Sequence, residues 1–426
     1  MSDPVALIVN ALIDKRSIEL TLIIENGIVT KSVLGDRKDI CRENRCMDLR
    51  RYGIAVPGFI DIHTHLRGLE LEYKEDEKSG TMAAIRGGYT AVIDMPNTIP
   101  KINNIDALKL KLHKLNLNSY VHYGVYILPS SNISELNNML EYDGVIGVKL
   151  FPEDLEFLQM ALNVIRRRSF DRIIIIHAEH PAGIDECEAG NRWRCRPIEL
   201  ELMCLNYIEK HIRKGDRIHV THITNPLTFF YAKKLSLSTD TCPHYLYLSN
   251  VSEQRYGCLA KVNPPLRTES TRRILLNMIK YFDAISTDHA PHSVNEKLGS
   301  FKQCPSGIAS IDIASSLVIN LVHQGVLDLD DVVRLLSLGP ASIIGIDQKW
   351  GCFREGCIAN YTIIEPYREF TVRSLDSFSK AKCSPYEGMR VRGTVTATII
   401  EGTLVHLNGE IVEKPNPKPI TKLFGR

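Results

Sequence analysis

Eight short apolar runs, spaced through residues 58–345 and separated by stretches of helical periodicity, constrain this chain more than any other feature. They lie at Phe59–Leu66, Thr90–Met95, Tyr120–Ile127, Val145–Phe151, Arg172–Ala178, Arg217–Ile223, Ser238–Leu248 and Phe282–Thr287. Runs of this kind suit strands buried on both faces, and the helices between them supply the crossovers that a parallel sheet requires. The helix candidates include Ile105–Leu115, Leu155–Arg168, Pro197–Arg213, Thr271–Tyr281, Ile311–His323 and Asp328–Leu336, and Asn225-Pro226 offers an N-cap followed by proline at the first helical position. Eight strands is the number that closes a TIM barrel, so the pattern predicts an α/β fold with a (β/α)8 barrel over residues 58–345.

Both ends of the chain read differently. Before the barrel, Ala6–Ile13, Leu20–Glu25 and a run starting at Ile28 after an Asn26-Gly27 turn signal look like strands. After Gly345 come Asn360–Ile364, Glu369–Val372 and Val391–Val405, with Glu401-Gly402 and Asn408-Gly409 as turn signals. Neither piece alone offers a satisfying core, so residues 1–57 and 346–426 are expected to form one small composite β-sandwich beside the barrel. Lys414–Arg426, rich in proline and lysine, reads as a tail.

Composition narrows the partners. The 426 residues are 44% apolar and 24% charged with a formal net charge of +2, which gives no field for nucleic acid and is ordinary for a soluble protein. Val5–Ile13 is too short to span a bilayer and lacks a basic leader, so a cytoplasmic protein with no membrane segment is expected. Eleven cysteines include no Cys-x-x-Cys pair, and buried free thiols are the preferred reading. Cys41/Cys46 and Cys352/Cys357 share a spacing that could close small disulfide loops, an option for the cytoplasm of a hyperthermophile.

Barrel active sites lie at the carboxyl ends of the strands, and polar residues recur there. The first run ends in His63-Thr64-His65-Leu66-Arg67, the second in Asp94-Met95-Pro96-Asn97, and the fourth contains Lys149. The fifth ends near His177, the sixth near His222, and the eighth in Asp288-His289-Ala290-Pro291-His292. Taken singly, His177 and His222 read as satisfied core histidines, and Asp288 as a helix cap. Lys149, inside Val145–Phe151, is harder to dismiss, because an unpaired buried ammonium is costly. Corresponding positions on separate strands favour a metal reading, in which four histidines, one aspartate and one lysine suit two divalent ions. Zinc fits imidazole and carboxylate, and the lysine joins only as an anionic carbamate formed from its neutral amine and carbon dioxide. Two such ions would lower the pKa of a water held between them and polarise a carbonyl, with Asp288 relaying the proton from water to the leaving nitrogen. A cyclic amide is the bond this arrangement suits.

These residues carry a resemblance. Asp61-Ile62-His63-Thr64-His65-Leu66-Arg67 with the ligand pattern above resembles the amidohydrolase superfamily and, within it, the dihydroorotases. Gly87-Gly88-Tyr89-Thr90, Met95-Pro96-Asn97-Thr98, Cys242-Pro243-His244-Tyr245-Leu246, Val262-Asn263-Pro264-Pro265-Leu266-Arg267 and Asp288-His289-Ala290-Pro291-His292 resemble that family's blocks. The resemblance implies reversible cyclisation of N-carbamoyl-L-aspartate to L-dihydroorotate, a step of pyrimidine biosynthesis. It also implies that His63, His65 and Asp288 hold one metal and that His177 and His222 hold the other, with carboxylated Lys149 as the bridge. Some members bridge with an acidic residue, and Glu153 or Asp154 keeps that option open. Arg67, Asn97 and His292 would bind the carboxylate of a small-molecule substrate, and Asn263 would contact the ring. Self-association, or association with an aspartate transcarbamoylase, belongs to the same implication. The sequence departs from the family at Arg67-Gly68-Leu69-Glu70, where many members have Arg-Glu-Pro-Gly, and again at Cys304–Ala309.

Arg67 separates the readings. Allantoinases and hydantoinases or dihydropyrimidinases would share the metal ligands, but a neutral ring needs no cation, whereas a dianionic substrate does. An inactive barrel serving as a scaffold for a transcarbamoylase is the reading from another class, against which stands the full ligand set.

Overall fold

Strands Phe59–Thr64, Tyr89–Asp94, His122–Ile127, Val145–Leu150, Ile173–His177, Ile218–Thr221, Ser238–Thr241 and Ala284–Ile285 line up in chain order as one parallel eight-stranded sheet. The structure is a computed structural model that describes residues 4–37, 39–40, 45–168 and 171–424. The first and eighth strands meet through a parallel bridge between Thr64 and His289, reinforced by the His65 N–H donating to the His289 carbonyl at 2.8 Å, so the sheet curls into a nearly closed barrel. Helices surround it, several with a side-chain cap. Asp76 accepts from the Ser79 N–H, Asn104 from Ala107, and Asn225 from Thr228, with Pro226 at the first helical position as its sequence suggests.

The barrel has two unlike ends. Ile60, Ile62, Ala91, Ile93, Tyr126, Ile173 and Ile175 belong to one apolar cluster, which Ile343, Ile346 and Trp350 extend. The Trp350 indole N–H and the Ser337 hydroxyl both donate to the carbonyl of Gly58, where the chain enters the barrel. Ile420 completes this plug, fully buried, on the short helix Ile420–Leu423. The segment expected to be a tail is therefore bound over its described part. The Tyr123 N–H donates to Lys418 O, and the Gly144 N–H to the Thr421 hydroxyl, because apolar Ile420 has a place to go under the barrel.

The strands from both chain ends form one nine-stranded mixed sheet, in which Ile54–Pro57 joins the N-terminal strands to Tyr361–Thr371. Glu401 and Gly402 turn the chain between Arg390–Ile400 and Thr403–Leu407. Thr362 and Thr398 donate to the carbonyls of Gly88 and Ile85, which fastens this sheet to the barrel.

Two further expectations change. The seventh strand stops at Thr241 rather than Leu248, because Pro243 cannot continue a ladder and instead opens the helix Pro243–Tyr247. The cysteines are not predominantly free: Cys187–Cys195, Cys258–Cys304 and Cys352–Cys357 are disulfides, and Cys204, Cys242 and Cys383 are thiols. Spacing alone could suggest only the short loops; the 46-residue separation of Cys258 and Cys304 is bridged by the fold. Cys41 lies outside the described residues. Among the described residues, no helix is long and apolar enough to cross a membrane.

Candidate active site

A cavity of about 450 Å³ opens at the carboxyl end of the barrel, and the residues nominated from sequence line it, apart from Lys149 and the alternative bridge Asp154. Strand direction explains this. Parallel strands all present their last residues to the same end, so His63, His65, Asn97, His177, His222 and Asp288 are brought together from across the chain.

His63, His65 and Asp288 form a group whose donor atoms lie within 4.8 Å of one another, all buried, and that can hold a metal ion. Oδ1 of Asp288 lies 3.0 Å from Nε2 of His65 and 3.3 Å from Nε2 of His63. The other ring nitrogens are engaged from outside. Thr221 donates its hydroxyl to Asp240 at 3.0 Å, so its oxygen is left to accept from Nδ1–H of His63 at 2.6 Å. Nδ1–H of His65 donates to Oδ1 of Asn97 at 2.7 Å. Both rings thus turn Nε2 toward Asp288, and with Nδ1 held by an outer acceptor Nε2 is the nitrogen each would offer to a metal ion in place of its contact with the carboxylate.

The rings of His177 and His222 stand beside this group, with centroids 4.4 Å apart, and His222 is 5.1 Å from His63. Nε2–H of His177 donates to Glu179 at 2.6 Å, and Arg196 holds Glu179 in turn, which leaves Nδ1 of His177 free. Burial, the Lys149 ammonium and the neighbouring imidazoles hold His63 well below its ordinary pKa, and burial with His177 and Lys149 does the same for His222. Burial would raise the Asp288 carboxyl, but the His65 hydrogen bond and nearby cationic groups bring it below the usual range.

Lys149 is fully buried, and its Nζ has no hydrogen-bond partner. Burial pulls its pKa down to about 8, so the neutral amine is a minor form near neutral pH but far more abundant than in an ordinary lysine. An orphaned amine beside four imidazoles and one carboxylate is the signature of a group completed by something else, and a carbamate facing divalent cations fits that donor set. Of the acidic alternatives, Asp154 accepts from the Phe151 N–H at 3.2 Å at the start of a 3-10 turn, whereas Glu153 lines the cavity.

The opposite wall is cationic. Arg67 is buried; its Nε donates to the Pro291 carbonyl at 3.3 Å and its guanidinium lies 3.2 Å from Nε2 of His292. Burial and the Arg67, Lys297 and Lys74 charges depress His292 to about 2, so its ring is neutral. Asn263 has its Oδ1 occupied by Arg192 at 2.5 Å and Arg196 at 2.6 Å, and the Ser306 hydroxyl donates to the same oxygen at 3.3 Å, so its Nδ2 is the group left for a ligand. Asn97 is likewise committed through Oδ1 and free through Nδ2.

Thr221, Asp240, Glu179 and Arg196 were not nominated from sequence. Asp240 also accepts from the backbone N–H of His222 and lies 3.0 Å from Nε2 of His219, so it organises two strands at once. A signal existed in Ser238-Thr239-Asp240-Thr241, a wholly polar strand inside a buried sheet.

Comparison with known proteins adds the lineage. The model of the family described as "Amidohydrolase family" matches residues 54–405. A dihydroorotase of Saccharolobus solfataricus is 35% identical over 374 residues, 88% of this chain and 89% of that protein. A dihydroorotase of Pyrococcus furiosus is 32% identical over 420 residues, 96% and 94% of the two chains. Among solved structures, an L-hydantoinase (dihydropyrimidinase) from Arthrobacter aurescens superposes with a TM-score of 0.88 at 21% identity, covering 98% of this chain and 99% of that one. That identity speaks for the fold.

Proposed function

The chain belongs to the amidohydrolase family, and on that premise we propose that it interconverts N-carbamoyl-L-aspartate and L-dihydroorotate, the dihydroorotase step of pyrimidine biosynthesis. The observation that carries this reading is Arg67: a buried guanidinium in the same cavity as the His63, His65, Asp288 group, its charge disfavoured by burial and offset by carboxylates beyond direct contact. Such a cation gains most from an anionic ligand, and a planar fork suits a carboxylate. A hydantoin or allantoin ring offers no carboxylate to it.

In this assignment His63, His65 and Asp288 would hold one divalent ion, zinc by donor type, and His177 and His222 would hold the other. Lys149, once its neutral amine has added carbon dioxide and released a proton, would supply a carbamate as a ligand for both. When bound, the ions supply an activated water and polarise the ring carbonyl. The chain does the rest. Arg67, with the Nδ2 group of Asn97 and the ring of His292, holds the carboxylate so that the reacting amide faces Asp288. Nδ2 of Asn263 donates to a ring carbonyl. Asp288 takes a proton from water as the water oxygen bonds to the ring amide carbon, and returns it to the ring nitrogen as the carbon–nitrogen bond breaks to leave a carboxylate and a ureide N–H; the reverse sequence closes the ring with loss of water.

The test is incubation of metal-replete protein with L-dihydroorotate, allantoin and hydantoin, with ring opening followed spectroscopically and metal content measured on the same sample. Opening of dihydroorotate alone supports the reading. Opening of hydantoin or allantoin with dihydroorotate untouched overturns it, and a fully metallated protein that opens none of the three is no dihydroorotase.

A further inference from the structure

The turn that departs from the family pattern, Arg67-Gly68-Leu69-Glu70, has an unusual anchor. Arg67, Gly68 and Leu69 all have positive φ, at 56°, 66° and 52°. This region is poorly favoured for side-chain-bearing residues such as Arg67 and Leu69, so the surrounding structure must hold them there. Beneath the turn lies Lys111, on the outer helix Ile105–Asn118 and fully buried. Its Nζ donates to the carbonyl of Arg67 at 3.0 Å and lies 2.7 Å from both Oε1 of Glu77 and Oδ2 of Asp94. Asp94 reaches the same segment with its other oxygen, which accepts from the N–H of Leu66 at 2.7 Å. Gly68 makes room for the third member: a Cβ there would fall 2.1 Å from Oε1 of Glu77. The residue that replaces the usual glutamate is thus the one that lets Glu77 approach.

A buried ammonium with two carboxylates is a poor device for stability alone, since well-packed apolar residues do as well. What it provides is a fixed point. The three acceptors define where the ammonium sits, and the ammonium defines where the carbonyl of Arg67 sits. From that same residue the guanidinium projects into the cavity.

We propose that Lys111, with Glu77 and Asp94, is a positioning residue for Arg67 and thereby sets the affinity of the site for the substrate carboxylate, although it touches neither substrate nor metal ligand. This rests on the reading of Arg67 as the substrate cation. A displacement of the Arg67 backbone would weaken carboxylate binding while leaving the histidine and aspartate group in place.

The experiment is a double-mutant cycle in the full-length, metal-loaded protein, with Arg67→Met, Lys111→Met and the pair. KM and kcat for dihydroorotate, metal content and thermal unfolding are measured for each. Lys111→Met is expected to raise KM roughly tenfold to a hundredfold, with metal content kept and kcat little changed. The pair is expected to be no worse than Arg67→Met alone, because Lys111 acts through Arg67. If Lys111→Met does not fold, Lys111→Met/Glu77→Gln, which neutralises one of the two carboxylates left without the ammonium, takes its place in the cycle. A large KM effect of Arg67→Met with none from the Lys111 variant overturns this inference and spares the function. Multiplicative effects in the pair also overturn it, since they show independent action. No KM effect from Arg67→Met overturns both readings together.

Discussion

Oδ1 of Asp288 stands 3.0 Å from Nε2 of His65, although 223 residues separate them in the chain. The contact spans the seam of the barrel, where the eighth strand comes round to the first, and it places a carboxylate beside two imidazoles whose Nδ1 atoms are already held from outside. Closure of the barrel and assembly of the candidate metal group are therefore one event.

Lys149→Ala is expected to lose bound metal and activity together, because the orphaned amine is the only route to the proposed bridge. A short carboxylic acid such as acetate or propionate should restore part of both by occupying the vacated space. Full activity without additive would rule the bridge out.

Arg67→Lys keeps the charge but not the planar fork. KM for dihydroorotate is expected to rise about tenfold with metal content intact, a smaller effect than Arg67→Met produces. Equal loss of metal in these variants would show Arg67 to be structural.

Thr221→Val removes the hydroxyl that passes the hold of Asp240 on to Nδ1 of His63. Metal affinity, measured by competition with a chelator, is expected to fall about 10- to 100-fold, while KM of the reloaded enzyme stays near wild type. Unchanged metal affinity would show that His63 needs no such orientation.

Lys297 is buried beneath the loop that lines the cavity, donating to the carbonyls of Cys258 at 2.9 Å and Pro305 at 2.8 Å, and burial lowers its pKa from 10.5 to about 7. Between those values the unfolded chain binds the proton that the folded one releases, so this residue makes stability rise with pH from about 7 to 10.5, with no contribution to the slope below. The difference in melting temperature between wild type and Lys297→Met should therefore depend on pH across that window and be flat beneath it. A difference independent of pH would remove Lys297 as the titrating group.

Ile420→Ala opens a cavity under the barrel floor. Unfolding by denaturant is expected to show a loss of about 2–4 kcal/mol, with kcat unchanged because the site lies at the opposite end. A loss below that of an exposed residue would return the segment to the status of a tail.

The sequence showed the barrel because parallel strands buried on both faces must be apolar runs, and crossover helices must separate them. It also showed residues such as His63, His177 and Asp288, whose chemistry is conspicuous against an apolar strand. Thr221, Glu179 and Arg196 were not legible, since threonine, glutamate and arginine have many ordinary uses and acquire this one through a neighbour on another strand. The run Ser238–Leu248 reads as one strand because Tyr245, Leu246 and Leu248 are as apolar as strand residues, and only Pro243 within it marks the end of the ladder. The cysteine pairing across 46 residues and the docking of Ile420 depend on distances that linear spacing does not contain.

What the sequence determined by itself is the alternation of elements and the presence, at one end of most of the strands, of groups able to bind metal or a carboxylate. The direction of a parallel strand assigns its last residues to one face of the barrel. What tertiary structure alone decided is which nitrogen of each histidine faces inward, that the side-chain oxygens of Asn97 and Asn263 are already spent while their amide nitrogens are not, and that a lysine on an outer helix holds the backbone of Arg67. Those are relations between atoms on different elements, set when the barrel closes, and a linear pattern records only the residues that take part.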